Sequence, residues 1–320
     1  MPIYPTAILS LFVIGLGMAA LQVVINPLLR VAGGEEHFAF NAVLAQLIFG
    51  SASFVSPLVY SHFVSSAGHA DADFLTRVIF KLVPAASPWI SVYWFFSFLT
   101  LAMIALISFI RFPRFERTED EKVGALETHL QLLKRPIVWL YFFGIFSYVG
   151  IEQGLSNWMS QFLSTQHSFN PDIEGAIAVS RFWGLITLGC ALGLLLLKFF
   201  DSRKVLLGFS FAAFFSLSAA VFGSREMAVL AFPLCGFAIS VMWSIVFSLA
   251  LNSLEKHHGT FSGILCTGVV GGAVVPLLIG HFGDLFGLRA GLCLLYLPLL
   301  YIFSMGFWAK PLIQNKTMLK

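Results

Sequence analysis

Residues 204–251 read KVLLGFSFAAFFSLSAAVFGSREMAVLAFPLCGFAISVMWSIVFSLAL, two apolar runs separated by a short polar stretch around Arg225. The runs cover 204–222 and 227–251. Each is close to the roughly 20 residues that a helix needs to cross the hydrocarbon layer of a bilayer. The pattern therefore predicts two membrane-spanning helices joined by a tight turn.

The same pattern continues over most of the chain. Of its 320 residues, 58% are hydrophobic and only 11% are charged, whereas a soluble domain has about a quarter of its residues charged. The opening has no basic residue before Arg30, so we interpret the first run as a membrane helix rather than a cleaved signal peptide. The composition predicts an all-α membrane protein with about nine spans, at 5–30, 39–62, 88–111, 136–160, 175–199, 204–222, 227–251, 260–281 and 287–309.

Two connections between the predicted spans are longer than the others. In the first, residues 63–87, Asp71 and Asp73 precede an apolar run over 74–80, which predicts a short capped helix at the membrane interface. The second, residues 112–135, is the most charged stretch of the chain and is predicted as a loop.

The basic residues predict the orientation, because cytoplasmic loops carry an excess of Lys and Arg. If the first span runs outside to inside, the outer side holds only Arg77, Lys81, Arg225 and Arg289, and Arg181 lies within a span. The inner side then holds Arg30, Arg111, Arg114, Arg117, Lys122, Lys134, Arg135, Lys198, Arg203, Lys204, Lys256, Lys310, Lys316 and Lys320. We therefore expect the N-terminus outside and the C-terminus in the cytoplasm of a plasma or inner membrane.

A short internal repeat predicts the domain organisation. Residues 55–63, VSPLVYSHF, match residues 274–282, VVPLLIGHF, at five of nine positions. The two segments close the second and the eighth spans, so a real repeat has a length of six spans. The fourth to sixth spans then lack mates, and the chain corresponds to the last nine helices of a twelve-helix protein. We predict a partial N-terminal half of three spans over 1–112, a charged cytoplasmic loop over 113–135 and a six-helix C-terminal half over 136–320.

Several segments, in order, resemble the major facilitator superfamily and, within it, the branch of fucose and glucose/galactose permeases. The similar segments are Gly15 to Pro27 with its Asn-Pro pair, Leu44-Ala45-Gln46, Tyr148-Val149-Gly150-Ile151-Glu152, Ser180-Arg181-Phe182, Gly271 to Pro276 and Gly280 to Gly287. The chain departs from the branch at two positions. Gln22 stands where the resemblance implies an acidic residue, and Phe49 stands where it implies Asn.

The resemblance implies a transporter of a small polar solute, a monosaccharide such as fucose, glucose or galactose, that works by alternating access of two helical halves. The alternative hypothesis is a truncated remnant or fragment of such a permease that does not transport. Because Gln22 replaces an acidic residue and the branch's first helix has no counterpart, proton coupling is doubtful.

Glu152 is the strongest candidate for solute contact. A carboxylate at bilayer depth costs about 2.5–3.5 kcal/mol on insertion scales, so it is expected to face a polar cavity. There it accepts paired hydroxyls of a sugar or holds a proton. The alternative is a structural ion pair with Arg181, which in turn lines the pathway, pairs with Glu152 or extends to the outer interface.

The other candidate residues for substrate binding are polar or aromatic and lie within predicted spans. Gln22 and Asn26 share a helix face and offer amides to sugar hydroxyls, but Asn26 is alternatively a partner for the carbonyl that Pro27 frees. Gln46 lines the pathway or makes an interhelical hydrogen bond. The remaining candidates are Gln153 and Asn157, which extend the polar stretch after Glu152, and Trp158 and Trp243, which either stack on sugar C–H faces or serve packing.

Other classes of function have little support in the sequence. The net charge of +3 is too small to indicate nucleic-acid binding, and the four cysteines are scattered singly in apolar stretches. No nucleophile–base pair or metal-ligand cluster is evident, so we expect no enzyme activity, no cofactor and no metal site. The expected partners are the lipid bilayer and a sugar.

Overall fold

The computed structural model describes residues 4–65, 74–83, 90–109, 126–170, 174–313 and 315–318. Within these ranges the chain forms helices and no strands. The first five are α1 (Tyr4–Ala32), α2 (Phe38–Ser65), α3 (Phe74–Phe80), α4 (Ile90–Phe109) and α5 (Leu126–Leu133). They are followed by α6 (Pro136–His167), α7 (Ala176–Phe199), α8 (Ser202–Phe222), α9 (Arg225–Ile239), α10 (Met242–Leu251), α11 (His258–Thr267), α12 (Gly271–Phe286), α13 (Leu288–Cys293) and α14 (Tyr296–Trp308).

Among the described residues, eight helical segments are long and apolar enough to cross a membrane. They are Ile8–Ala32, Ile90–Phe109, Pro136–His167, Ile177–Phe199, Ser202–Phe222, Arg225–Leu251, His258–Phe286 and Leu288–Trp308. The 28-residue α2 occupies the position of the remaining predicted span. The predicted class, an all-α membrane protein, is confirmed.

Three predicted spans are interrupted rather than continuous. Residues 227–251 form α9 and α10, with a break after Ile239. The span predicted at 260–281 consists of α11, a 3-10 turn over Gly268–Val270 and α12, which continues to Phe286. The last span is formed by α13 and α14. Runs of apolar residues set the length of a span, but they do not reveal where its hydrogen-bond pattern changes.

The two long connections each contain a short helix. The helix predicted at 74–80 is present as α3, while its expected caps, Asp71 and Asp73, lie outside the described residues. The prediction of a loop over 112–135 does not hold near the end of that range, where residues Leu126–Leu133 form the helix α5. Half of the residues of α5 are leucines, which favour helices, and Leu132 is buried.

The described chain divides into two compact units. The first comprises Met1–Gly50 and Arg117–Lys320, and the second comprises Ser51–Glu116. In the second unit, Phe63, Ile79 and Val83 form a small buried cluster, and the rings of Phe63 and Phe95 lie 5.4 Å apart. The candidate site described below lies entirely in the first unit.

The core of the first unit lies around α6 and α10. Every residue of α10 is buried except Trp243, which is half-buried. Close packing of α6 on α12 depends on glycine. A Cβ atom on Gly150 would lie only 2.5 Å from Val275 Cγ2, and one on Gly271 would collide with the backbone of Phe146. Glycine at these positions allows the two helix backbones to approach closely.

A proline inside α1 leaves one backbone carbonyl without its helical donor. Pro27 has no N–H, so the carbonyl of Val23, four residues earlier, loses its usual partner. Ser262 of α11 donates a hydrogen bond to this carbonyl at 3.2 Å. The helix break is thus compensated by a neighbouring helix, as is common for membrane helices, and it fixes α1 against α11.

Candidate functional site

The polar stretch of α6 brings together a phenol and a carboxylate. Tyr148 and Glu152 are four residues apart, so their side chains lie on one helix face. Tyr148 Oη donates a hydrogen bond to Glu152 Oε1 at 2.9 Å. The tyrosine is almost completely buried, while Glu152 is half-buried. The buried phenol therefore fixes the orientation of the carboxylate and leaves it partly accessible.

An aromatic pair on α10 extends this arrangement. The ring of Trp243 lies 5.9 Å from that of Tyr148 and 5.4 Å from that of Phe247. Tyr148 and Phe247 are both buried, and their rings pack against the indole. Trp243 and Glu152 therefore both contact Tyr148, the indole through the phenol ring and the carboxylate through the phenol hydroxyl.

The chemistry of this group suits a small polyhydroxylated solute. A carboxylate accepts hydrogen bonds from two neighbouring hydroxyls. An indole offers a large, rigid apolar face against which the C–H groups of a ring can pack. A few fixed polar groups among aromatic side chains are typical of small-molecule sites. We refer to Tyr148, Glu152 and Trp243 as the Glu152 group.

The other candidates on α6 are arranged differently. The aliphatic part of the Gln153 side chain packs against Gly272, where an added Cβ would lie 2.9 Å from its Cγ. Asn157 is exposed. Trp158 donates its indole N–H to the carbonyl of Pro276 at 2.9 Å, and its ring packs on Gly280. The Trp158 indole thus serves the packing of α6 on α12, and its N–H is already used.

Arg181 is not part of the Glu152 group. Its side chain is exposed on α7. Both Arg181 and Glu152 belong to the described part of the chain, and no ion pair joins them there. The hypothesis of a structural Glu152–Arg181 pair is therefore not supported by the geometry, whereas extension of Arg181 to the interface agrees with its exposure.

Three candidates for solute contact lie on α1 and α2, and one of them, Asn26, already makes a local hydrogen bond. Asn26 is buried and donates from Nδ2 to the backbone carbonyl of Gln22 at 2.9 Å. The alternative in which Asn26 donates to the carbonyl that Pro27 frees is wrong, because Ser262 donates to that carbonyl, which belongs to Val23. The side chains of Gln22 and Gln46 are half-buried. Their predicted contact with solute stays a prediction.

Two of the predicted residues, Glu152 and Trp243, thus both contact Tyr148, and Phe247 packs on Trp243. Tyr148 could have been found from the sequence, because it lies one helical turn before Glu152 and a phenol can reach a carboxylate at that spacing. Phe247 had no such signal, since it is one of many phenylalanines. Its role becomes visible only through its contact with Trp243.

The sequence and the fold are both similar to known transporters. The sequence profile of the Major Facilitator Superfamily matches residues 1–276. The "Glucose/galactose transporter" of Brucella abortus biovar 1 (strain 9-941) is 29% identical over 298 residues, which cover 90% of this chain and 67% of that protein. The "L-fucose-proton symporter" of Escherichia coli (strain K12) is 24% identical over 299 residues, covering 89% of this chain and 67% of that protein.

Solved structures show the same fold. The crystal structure of a major facilitator superfamily transporter, FucP, in the outward conformation superposes with a TM-score of 0.81 at 20% identity. The superposition covers 94% of this chain and 75% of that one. This chain therefore spans about two thirds to three quarters of the length of these proteins. The chain belongs to the major facilitator superfamily, and within it the chain is similar to the fucose and glucose/galactose permeases.

Proposed function

We propose that this chain carries a monosaccharide across a membrane, with the Glu152 group as its main contact to the sugar. The observation that carries the proposal is Tyr148, whose hydroxyl binds the Glu152 carboxylate and whose ring packs on the half-buried Trp243. The names of the relatives, a glucose/galactose transporter and an L-fucose-proton symporter, support the class of solute. Nothing in the Glu152 group indicates covalent chemistry.

Each member of the group has a separate role in the proposal. The Glu152 carboxylate accepts hydrogen bonds from neighbouring sugar hydroxyls, which gives the site its selectivity for polyols. Tyr148 holds one carboxylate oxygen at 2.9 Å, so the acceptor is oriented before the sugar arrives. Trp243 provides an apolar face for the ring of the sugar.

The orientation is also part of the proposal. The first unit has one end at which α1, α7, α10 and α14 end, and we call it the Arg30 end. Four basic residues make polar contacts at this end, namely Arg30, Lys198, Arg203 and Lys316. Because basic residues accumulate on the cytoplasmic side of membrane proteins, we assign the Arg30 end to the cytoplasm. We also retain the division at 112–135 between a partial N-terminal half and a six-helix C-terminal half.

Counterflow in proteoliposomes tests the proposed function. The purified chain is reconstituted with unlabelled D-glucose, D-galactose or L-fucose inside, and uptake of the same labelled sugar is followed. We expect saturable, stereoselective exchange of at least one of these sugars. If well-inserted protein exchanges none of them above the rate of empty liposomes, the alternative of a non-transporting remnant or fragment is favoured instead.

Replacement of Tyr148 by phenylalanine is expected to weaken exchange by about tenfold. The substitution removes the hydroxyl that donates to Glu152 but keeps the ring that contacts Trp243. Loss of a hydrogen bond to a charged group costs on the order of 1.5 kcal/mol, or about a factor of ten. Initial counterflow rates over a range of sugar concentrations measure the loss. A rate equal to that of the unchanged protein would contradict the assigned role of Tyr148.

Sugar transport by this chain is expected to occur without proton coupling. The resemblance implies a carboxylate at the position of Gln22, and an amide cannot exchange a proton in its place. The measurement is the internal pH of proteoliposomes, followed with a fluorescent dye after sugar is added outside. Acidification of the liposome interior that depends on the sugar would contradict the prediction and would make Glu152 the first candidate for the group that takes the proton.

A further inference from the structure

Residues 309–313 and 315–318, which follow α14, lie across the Arg30 end and are hydrogen-bonded to several elements there. The N–H of Leu312 donates to the carbonyl of Asn252 at 2.8 Å, and the N–H of Met318 donates to that of Lys198 at 2.7 Å. Between them, Asn315 accepts from the N–H of Ser202 at 3.0 Å and donates to the carbonyl of Phe200 at 3.3 Å. We call residues 309–313 and 315–318 the strap.

The strap also reaches the connection between α1 and α2. The N–H of Lys316 donates to the carbonyl of Glu36 at 3.0 Å, and its ammonium group lies 3.8 Å from the Glu36 carboxylate. Glu36 precedes α2, whereas Lys198 lies in the last turn of α7 and Asn252 directly follows α10. One short segment therefore joins the α1–α2 corner to the ends of α7 and α10.

A buried cluster lies next to the same contacts. Arg30 is almost completely buried and donates from Nε to Asn252 Oδ1 at 2.9 Å, while its guanidinium lies 2.7 Å from Glu35. Asn252 in turn donates from Nδ2 to the carbonyl of Glu35 at 3.3 Å. Asn252 thus holds Arg30 with its side chain and the strap with its backbone carbonyl. The strap and the Arg30 cluster share one attachment point.

From these contacts we propose that the strap is a latch that holds the Arg30 end closed and that must release its bond to Glu36 before this end can open. The α1–α2 corner is bound here to α7 and α10 through the strap, through Arg30 and through Ser244, which donates to the carbonyl of Ala42 at 3.0 Å. Separation of α1 and α2 from α10 breaks all of these bonds. The strap differs from the others because a single segment bonds to both sides.

The inference deepens the proposed transport function, since alternating access requires this end to open, but its test needs no transport. Ser244 is completely buried, and its partner Ala42 lies one turn from the start of α2, near the Arg30 end. In a Ser244→Cys variant, opening of the Arg30 end exposes the thiol at position 244 to a water-soluble maleimide. The rate of modification is followed by mass spectrometry on the peptide that carries position 244, so native cysteines do not interfere.

Weakening the strap is expected to speed this modification. Asn315→Ala removes two hydrogen bonds and should raise the rate about tenfold, because the population of the open form rises with their loss. Lys316→Pro, which removes the N–H that donates to Glu36, should act in the same direction. Thr317→Ala is the matched control, because Thr317 lies in the strap and its side chain has no hydrogen bond within the described chain.

Locking the strap is expected to have the opposite effect. Residues 36 and 316 are joined by a backbone hydrogen bond, so their Cα atoms are close enough for a disulfide. Oxidation of a Glu36→Cys, Lys316→Cys pair should slow modification at position 244, and reduction should restore it. Unchanged rates in Asn315→Ala, in Lys316→Pro and in the oxidised pair would overturn the latch. Altered rates without any sugar counterflow would retain the latch and refute the proposed function alone.

Discussion

Replacement of Glu152 by glutamine is expected to reduce sugar counterflow about 10- to 100-fold. The amide keeps the size of the side chain, but it loses the negative charge and one of the two acceptor oxygens. Hydrogen bonds to a charged group contribute about 1.5–3 kcal/mol, which corresponds to this range of rates. The Tyr148 hydroxyl can still donate to the remaining carbonyl oxygen, so the fold around the site should persist.

The matched control is Glu226→Gln. Glu226 is an exposed carboxylate in the first turn of α9, outside the Glu152 group. The same chemical change there should leave counterflow unchanged. Both variants are compared at equal amounts of inserted protein, with initial rates measured over a range of sugar concentrations. A Glu152→Gln protein that exchanges sugar at the rate of Glu226→Gln would refute the role of the carboxylate.

The membrane fold could be predicted from the sequence because it depends on local properties of the chain. The length of an apolar run determines whether a helix can cross a bilayer, and α8 begins and ends within two residues of its predicted span. The break between α9 and α10 could not be predicted in this way. It interrupts a continuous apolar run, and the two residues at the break are Ser240 and Val241, neither of which is a helix breaker like proline or glycine.

The candidate site was partly predictable for a related reason. Glu152 is visible because a carboxylate within an apolar run is costly and needs a function or a partner. Trp243 was one aromatic residue among many, and only the packing of α10 against α6 makes it the half-buried residue beside Tyr148. Trp158 shows the reverse case. It looks equally suitable from the sequence, but its N–H is bonded to Pro276 of α12.

Replacement of Gly271 by alanine is expected to lower the melting temperature of the purified protein by on the order of 5 °C. Two effects oppose each other at this position. Alanine is a better helix former than glycine by up to about 1 kcal/mol. The added Cβ, however, would collide with the backbone of Phe146, which cannot move aside as a flexible side chain can. Overpacking of this kind costs about 1–3 kcal/mol, so the collision should dominate.

Gly184→Ala separates these two effects, because Gly184 lies within α7 and a Cβ there would meet no atom within 4 Å. That variant should keep or slightly raise the melting temperature, since it gains helix propensity without a collision. Both can be measured by size-exclusion chromatography of detergent-solubilised protein after heating. If Gly271→Ala melts at the temperature of Gly184→Ala, α12 is free to move away from α6. The close approach of these two helices would then not be needed for stability. The contact between Gly272 and Gln153, the neighbour of Glu152, would likewise not require a glycine at position 271.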